Sequence, residues 1–233
     1  MGSAVAEALL GFTAIGIVDD DSSEADVYKY QIEDSGLTPV LFGSGFASLD
    51  DLIGKVTSAR VGAVVCDHRL RVRDYAPFNG AEAVASLFDR GIPAVLISRY
   101  TRIDVDKDIR PYRRKIPVLL SKDEVDSESL VVALAKCKSE LDGAVPTSRR
   151  PRRTLVRIDE VSQDLAVAFV PAWNPNEAIR FPRLIIPDRY QSTLKSDDRF
   201  FASVNVDAEK ADDLFFDNFE PAPTVTSEDD IFS

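Results

Sequence analysis

The chain has 233 residues, 45% of them apolar, with 39 acidic and 28 basic side chains and a formal net charge of −11. That length and apolar content allow one large domain or two small ones, each with a real core. The negative balance argues against broad electrostatic binding to nucleic acid or anionic lipid, and no apolar run approaches the roughly 20 residues of a membrane helix.

Two further classes are poorly supported. The only histidine, His68, disfavours a histidine-based zinc site or a Ser–His triad. Cys66 and Cys137 stand in apolar surroundings without metal spacing, as buried thiols of a reducing compartment do. Met1–Leu10 lacks the basic start of a signal peptide, and Ala6 stands where a myristoylation signal prefers Ser or Thr. The expectation is a soluble, cytoplasmic protein.

Residues 1–12 read as an N-terminal extension. From there to residue 142, strand and helix alternate. Ala14–Val18 is an apolar run suited to a strand buried on both faces. Ser22–Ser35 reads as a helix stopped by Gly36, and Thr38–Phe42 as a second strand. Ser48–Ala59 has a capping serine and the apolar stripe Leu49, Leu52, Ile53 and Val56. Val61–Cys66 is a third strand, Asn79–Asp89 a capped helix, Pro93–Ile97 a fourth strand and Pro117–Leu120 a fifth. Asp126–Leu141 is the last helix, followed by Gly143. Thr101–Lys115 contains Pro111 and is expected to be a short or broken helix. The pattern implies an α/β fold: a doubly wound, five-stranded parallel sheet with helices on both faces.

Residues 143–153, "GAVPTSRRPRR", read as a linker and a solvated hinge. Residues 154–223 hold short β-like runs ("LVRIDEV", "LAVAFVPAW", "AIRFPRLIIP", "RFFASVNV") broken by Pro, Asn and Asp. They are expected to form a second, smaller β-rich interaction module, with Trp173 in its core. Residues 224–233 form an acidic tail. No two-helix pattern with a basic recognition helix is present, so DNA binding is not expected.

In an open parallel sheet, ligands sit beyond the carboxyl ends of the strands. The first predicted strand is followed by Asp19, Asp20 and Asp21, the third by Asp67, the fourth by Ser98 and the fifth by Ser121 and Lys122. Clustered carboxylates repel one another, and a divalent cation removes that cost. Magnesium prefers oxygen ligands, a few of them carboxylates. Asp67 can serve both as ligand and as nucleophile toward a phosphoryl group, whose charge Lys122 would help neutralise. Asp21 reads as a helix cap.

These segments, "IVDDD" at Ile17–Asp21, "VVCDHRL" at Val64–Leu70, "VLIS" at Val95–Ser98 and "VLLSK" at Val118–Lys122, resemble the receiver domain of two-component response regulators. Successive site positions lie 47, 31 and 24 residues apart. The resemblance covers about residues 13–141, and the receiver-like domain is expected to span residues 13–142. It implies a flavodoxin-like sheet with strand order 2-1-3-4-5. It also implies that Asp67 is the phosphoacceptor, that Asp19, Asp20, Asp67 and the backbone carbonyl of Arg69 bind Mg2+, that Ser98 is the switch hydroxyl and that Lys122 contacts the phosphoryl group. The implied donor is a histidine kinase or phosphotransfer protein. The only chemistry implied is phosphoryl acceptance and slow autodephosphorylation. Output would pass to a downstream protein, and the fold admits a homodimer.

Four features depart from the family, one of them the basic, proline-broken stretch between Ser98 and Lys122. Asp123 follows Lys122 where proline is usual. Leu119 stands where a switch aromatic is expected. The loop "RVRDYAPFNG" after Leu70 is long. Alternatives are a phosphate sink for a shared kinase and a phosphorylation-independent pseudo-receiver scaffold. A haloacid-dehalogenase-like phosphatase would need a DxD motif after the first strand, which Asp19–Asp21 meets only loosely.

Overall fold

The structure, a computed structural model, describes residues 3–99 and 104–223. The chain forms two compact units that divide between Arg149 and Arg150.

The first unit holds strands β1 (Ala14–Val18), β2 (Thr38–Leu41), β3 (Ala63–Asp67), β4 (Ala94–Ser98) and β5 (Leu119–Ser121). All pair in parallel, in the order β2-β1-β3-β4-β5. Helices α1 (Ser3–Leu10), α2 (Ser22–Asp34), α3 (Leu49–Ser58), α4 (Gly80–Asp89) and α5 (Ser127–Leu141) accompany them. Alternate strand residues feed two cores. Ile15, Ile17, Val65 and Ile97 pack with α1, α2 and α5. Val18, Val64, Cys66 and Leu96 pack with α3, α4 and the segment before β5. This two-sided burial is why the central strands read as continuous apolar runs.

Helix α1 was not legible as a helix. It has no acidic first turn, but Ala6 and Leu10 are fully buried and hold it to the core. In the Thr101–Lys115 stretch, residues 101–103 lie outside the described ones. Val105–Ile109 is a π-turn and Arg110–Lys115 a 3-10 turn. Pro111 has no N–H to continue an α ladder, and the tighter turn accommodates it. A buried ion pair, Arg110 to Asp106 at 2.9 Å, fixes the wider turn.

Part of the stretch expected as a solvated hinge belongs to the units themselves. Arg149 is buried and donates to Glu140 and to the carbonyl of Arg114, each at 2.7 Å. Arg152 and Arg153 already belong to the first strand of the second unit.

The second unit is an antiparallel sheet of β6 (Arg152–Val161), β7 (Leu165–Val170), β8 (Asn174–Pro182), β9 (Arg199–Val204) and β10 (Phe216–Pro221), ordered β10-β9-β6-β7-β8. A short helix, α6 (Asp188–Gln191), precedes β9. One face packs Val156, Ile158, Ala168, Phe181, Phe200 and Phe219 into a core. Trp173 lies half-buried against that core, its indole N–H donating to the Ala208 carbonyl at 2.8 Å. Strand β10 escaped the sequence pattern because Asn218, at φ 53°, breaks its alternation with a register shift. The acidic tail, residues 224–233, lies outside the described residues. Among the described residues no helix is long and apolar enough to cross a membrane.

Candidate functional site

The three predicted acids meet. One carboxylate oxygen from each of Asp19, Asp20 and Asp67 lies within 4.8 Å of the others. They converge because β1 and β3 are adjacent and parallel, with Val18 in register with Cys66. Both strands therefore release their next residues at the same edge.

The three consecutive aspartates divide their work. Asp21 caps α2, accepting from the Ser23 N–H at 2.9 Å. Asp19 is buried, with Oδ1 accepting from the Asp21 N–H at 2.8 Å. Its Oδ2 is buried and has no hydrogen-bond partner among the described residues. Burial pushes the Asp19 carboxyl up to about 7, with Asp67 and Asp20 adding to the rise and Lys122 and the Asp21 N–H opposing it.

Both oxygens of Asp67 are held. Oδ2 accepts from the Arg69 N–H at 2.6 Å, and Oδ1 lies 2.8 Å from the Lys122 ammonium. Lys122 directly follows β5. Ser98 ends β4, is buried, and pairs in register with Ser121. Leu119, an aliphatic packing residue, is buried in the core shared with α3 and α4.

Four residues of the rim were missed in the sequence. Glu24, in the first turn of α2, has Oε2 3.8 Å from the Lys122 amine and accepts from Arg99 at 2.5 Å. Helix periodicity alone makes Glu24 a favourable first-turn acid, so nothing marked it. Gly80 opens α4 and donates its N–H to the His68 carbonyl at 2.8 Å. A Cβ there would lie 2.0 Å from the Asp67 carbonyl, so only glycine lets α4 approach the Asp67 backbone. Tyr75, from the long loop, donates to the Phe42 carbonyl at 2.5 Å and sets its ring edge-on to Phe46. The Tyr75 carbonyl in turn accepts from the Phe46 N–H at 2.7 Å. The long loop is thereby clasped to the chain that follows β2.

His68, beside Asp67, is buried, and its Nδ1 has no partner among the described residues. Burial lowers its pKa, against the raising effect of Asp104 and Asp108, and favours the neutral ring. The Arg69 side chain turns away from Asp67 to pair with Asp104 at 3.0 Å.

No family model and no curated protein matches the chain. Solved structures do. A response regulator receiver domain protein from Clostridium thermocellum matches at 14% identity and TM-score 0.43, over 57% of this chain and 99% of that one. A FixJ-N structure matches at 16% identity and TM-score 0.39, over 55% and 94%. The Vibrio cholerae chemotaxis protein CheY4 matches at 14% identity and TM-score 0.40, over 54% and 98%. With its five parallel strands in the order β2-β1-β3-β4-β5, the first unit has a flavodoxin-like, doubly wound fold. Likeness at such identities says nothing of activity, which rests on the first unit's own residues.

Proposed function

We propose that the protein is a response regulator whose Asp67 accepts a phosphoryl group from a histidine kinase or phosphotransfer protein. One observation carries this reading: Asp67 lies 2.8 Å from the Lys122 amine and within 4.8 Å of the Asp19 and Asp20 carboxylates. An acid held between a cation and two further acids is poorly explained as packing and well explained as a phosphoryl site.

The donor set suits Mg2+. It is all oxygen, it is carboxylate-rich, and Asp19 Oδ2 is a buried acceptor without a hydrogen-bond partner among the described residues. Asp19, Asp20 and Asp67 would hold the ion, with the Arg69 backbone carbonyl as a further ligand. When bound, Mg2+ supplies Lewis-acid charge stabilisation of the transferring group.

The protein's own groups do the rest. The Arg69 N–H fixes one Asp67 oxygen and leaves the other to attack phosphorus. As that bond forms, the bond from phosphorus to the donor breaks, and the leaving group departs with its electron pair. Lys122 moves from the Asp67 carboxylate to the phosphoryl oxygens, where its charge is needed most. Ser98 donates a hydrogen bond to the same oxygens. In hydrolysis, water attacks phosphorus and Asp67 regains its electron pair.

The test is incubation with acetyl phosphate and Mg2+, read by intact mass. One added phosphoryl group on wild type, absent in Asp67→Ala, supports the reading. An unchanged mass for wild type, with a histidine kinase donor as well, overturns it.

A second reading is favoured by Leu119. Without a switch aromatic in β5, phosphorylation has one lever fewer, which suits a phosphate sink that drains a shared kinase without an output of its own. The second unit and its half-buried Trp173 edge would then serve docking to a protein partner. Neither DNA nor membrane contact is part of either reading.

A further inference from the structure

Four charged side chains alternate in sign across the site: Arg99, Glu24, Lys122 and Asp67. Arg99 donates to Glu24 Oε1 at 2.5 Å, Glu24 Oε2 faces the Lys122 amine at 3.8 Å, and Lys122 holds Asp67 at 2.8 Å. Arg99 directly follows Ser98 at the end of β4, and Glu24 lies in the first turn of α2. The Arg99–Glu24 pair therefore runs from the rim of one strand to the helix after another.

We propose that Arg99 is a second phosphoryl-binding cation, held ready by Glu24, which exchanges the Glu24 carboxylate for the oxygens of the phosphoryl group on Asp67. The proposal rests on the phosphoryl-accepting role of Asp67. Its physical basis is charge balance. A phosphoryl group brings about two negative charges to a site that already holds three carboxylates. Inside, the counter-charges are Mg2+, when bound, which the carboxylates already draw on, and Lys122, a compact ammonium already shared between Asp67 and Glu24. A guanidinium offers a planar fork that matches two phosphoryl oxygens at once, which an ammonium does not.

The exchange is inexpensive. The Arg99 side chain is 72% exposed, and an ion pair that open to water is worth little. Its long stem allows the fork to turn without moving β4. The direction of exchange follows from charge, since the doubly charged group outbids a single carboxylate. The Asp67 and Asp21 charges both act on the Arg99 guanidinium after that of Glu24, which places it within reach of the site's field. Glu24 keeps its second role in either state, facing the Lys122 amine.

The transfer itself remains balanced. Asp67 attacks the phosphorus of acetyl phosphate, the bond from phosphorus to the acetyl oxygen breaks, and acetate leaves with the electron pair. Arg99 neither gives nor takes a proton and contributes only hydrogen bonds and charge.

The experiment is a double-mutant cycle on the full chain, with acetyl phosphate as donor in the presence of Mg2+. The readout is the second-order rate constant for labelling Asp67, followed by intact mass, with the thermal midpoint as a check on folding. Arg99→Ala should lower the constant roughly three- to tenfold, the scale of one partly solvated charge-assisted contact. Arg99→Lys should recover only part of it. Glu24→Gln, which frees the guanidinium, should raise the constant, and the gain should vanish when combined with Arg99→Ala. An Arg99→Ala protein labelled at the wild-type rate overturns the proposal. So does a Glu24→Gln gain that survives in the Arg99→Ala background, which would assign Glu24 to Lys122 alone. Absence of label on wild type overturns the Asp67 reading instead, and this one with it.

Discussion

The Lys122 ammonium lies 2.8 Å from Asp67 Oδ1, with the two side chains only 15% and 5% exposed. Water screens such a pair weakly, so it is stronger than a surface contact and harder to do without. Replacing Lys122 by Ala removes the one buried cation that touches Asp67 among the described residues. Loss of a preorganised charge at a transferring group typically costs about 100- to 1000-fold in rate. Labelling of Lys122→Ala by acetyl phosphate should fall by that order, with Lys122→Arg recovering only a small part. A rate within about fivefold of wild type would remove Lys122 from the chemistry.

Asp19 gives the metal-free protein a pH dependence whose sign is fixed. Folding holds its proton up to about 7, while the ordinary value is 3.8. Raising pH between those values strips the proton from the unfolded chain first, which favours unfolding. This contribution to stability is full below 3.8, falls steadily toward 7 and is flat above. Asp19→Asn cannot ionise and escapes the loss. In the presence of EDTA it should be more stable than wild type at neutral pH, by about 2 kcal/mol more at pH 7.5 than at pH 5.5. Denaturant titration at the two values checks this, and a gap independent of pH would show that Asp19 is not protonated by burial.

How much of this was legible depends on the kind of signal. Val18, Cys66, Ile97 and Leu120 end or nearly end apolar runs, and a polar residue right after a buried parallel strand has one place to go. That is why the meeting of Asp19, Asp20, Asp67 and Lys122 at one edge could be expected from the sequence. Glu24 and Arg99 could not, because their meeting depends on side-chain reach across two loops, which no local pattern encodes. Tyr75 and Phe42 were hidden for the same reason: thirty-three residues apart, they are joined by one hydrogen bond. Arg149 was misread as a solvated hinge residue because a basic run looks the same in sequence whether or not Glu140 waits for one of its members.

Gly80 links stability to the site. A methyl group there would lie 2.0 Å from the Asp67 carbonyl oxygen and 2.8 Å from the His68 Cα, both backbone atoms that have no rotamer to escape into. Overpacking of this kind costs about 1–3 kcal/mol. Gly80→Ala should lower the thermal midpoint by several degrees and slow labelling of Asp67 as well, since the displaced atoms carry the proposed nucleophile. A variant that lost stability but labelled at the wild-type rate would show that the nucleophile tolerates the shift.

Arg149 makes the strongest prediction about the end of the first unit. Its guanidinium lies 2.7 Å from Glu140 in a pair whose side chains are 9% and 8% exposed, and it also donates to the Arg114 carbonyl at 2.7 Å. Truncation to Ala strands the Glu140 carboxylate without its partner and leaves that carbonyl one donor short. Breaking a buried pair from one side costs about 3–5 kcal/mol, whereas replacing both partners by apolar groups of similar size is often neutral. Arg149→Ala should therefore be strongly destabilising, and Arg149→Met with Glu140→Leu should recover much of the loss. If the single and double variants unfold at the same denaturant concentration, the cost comes from the lost carbonyl contacts and not from the stranded charge.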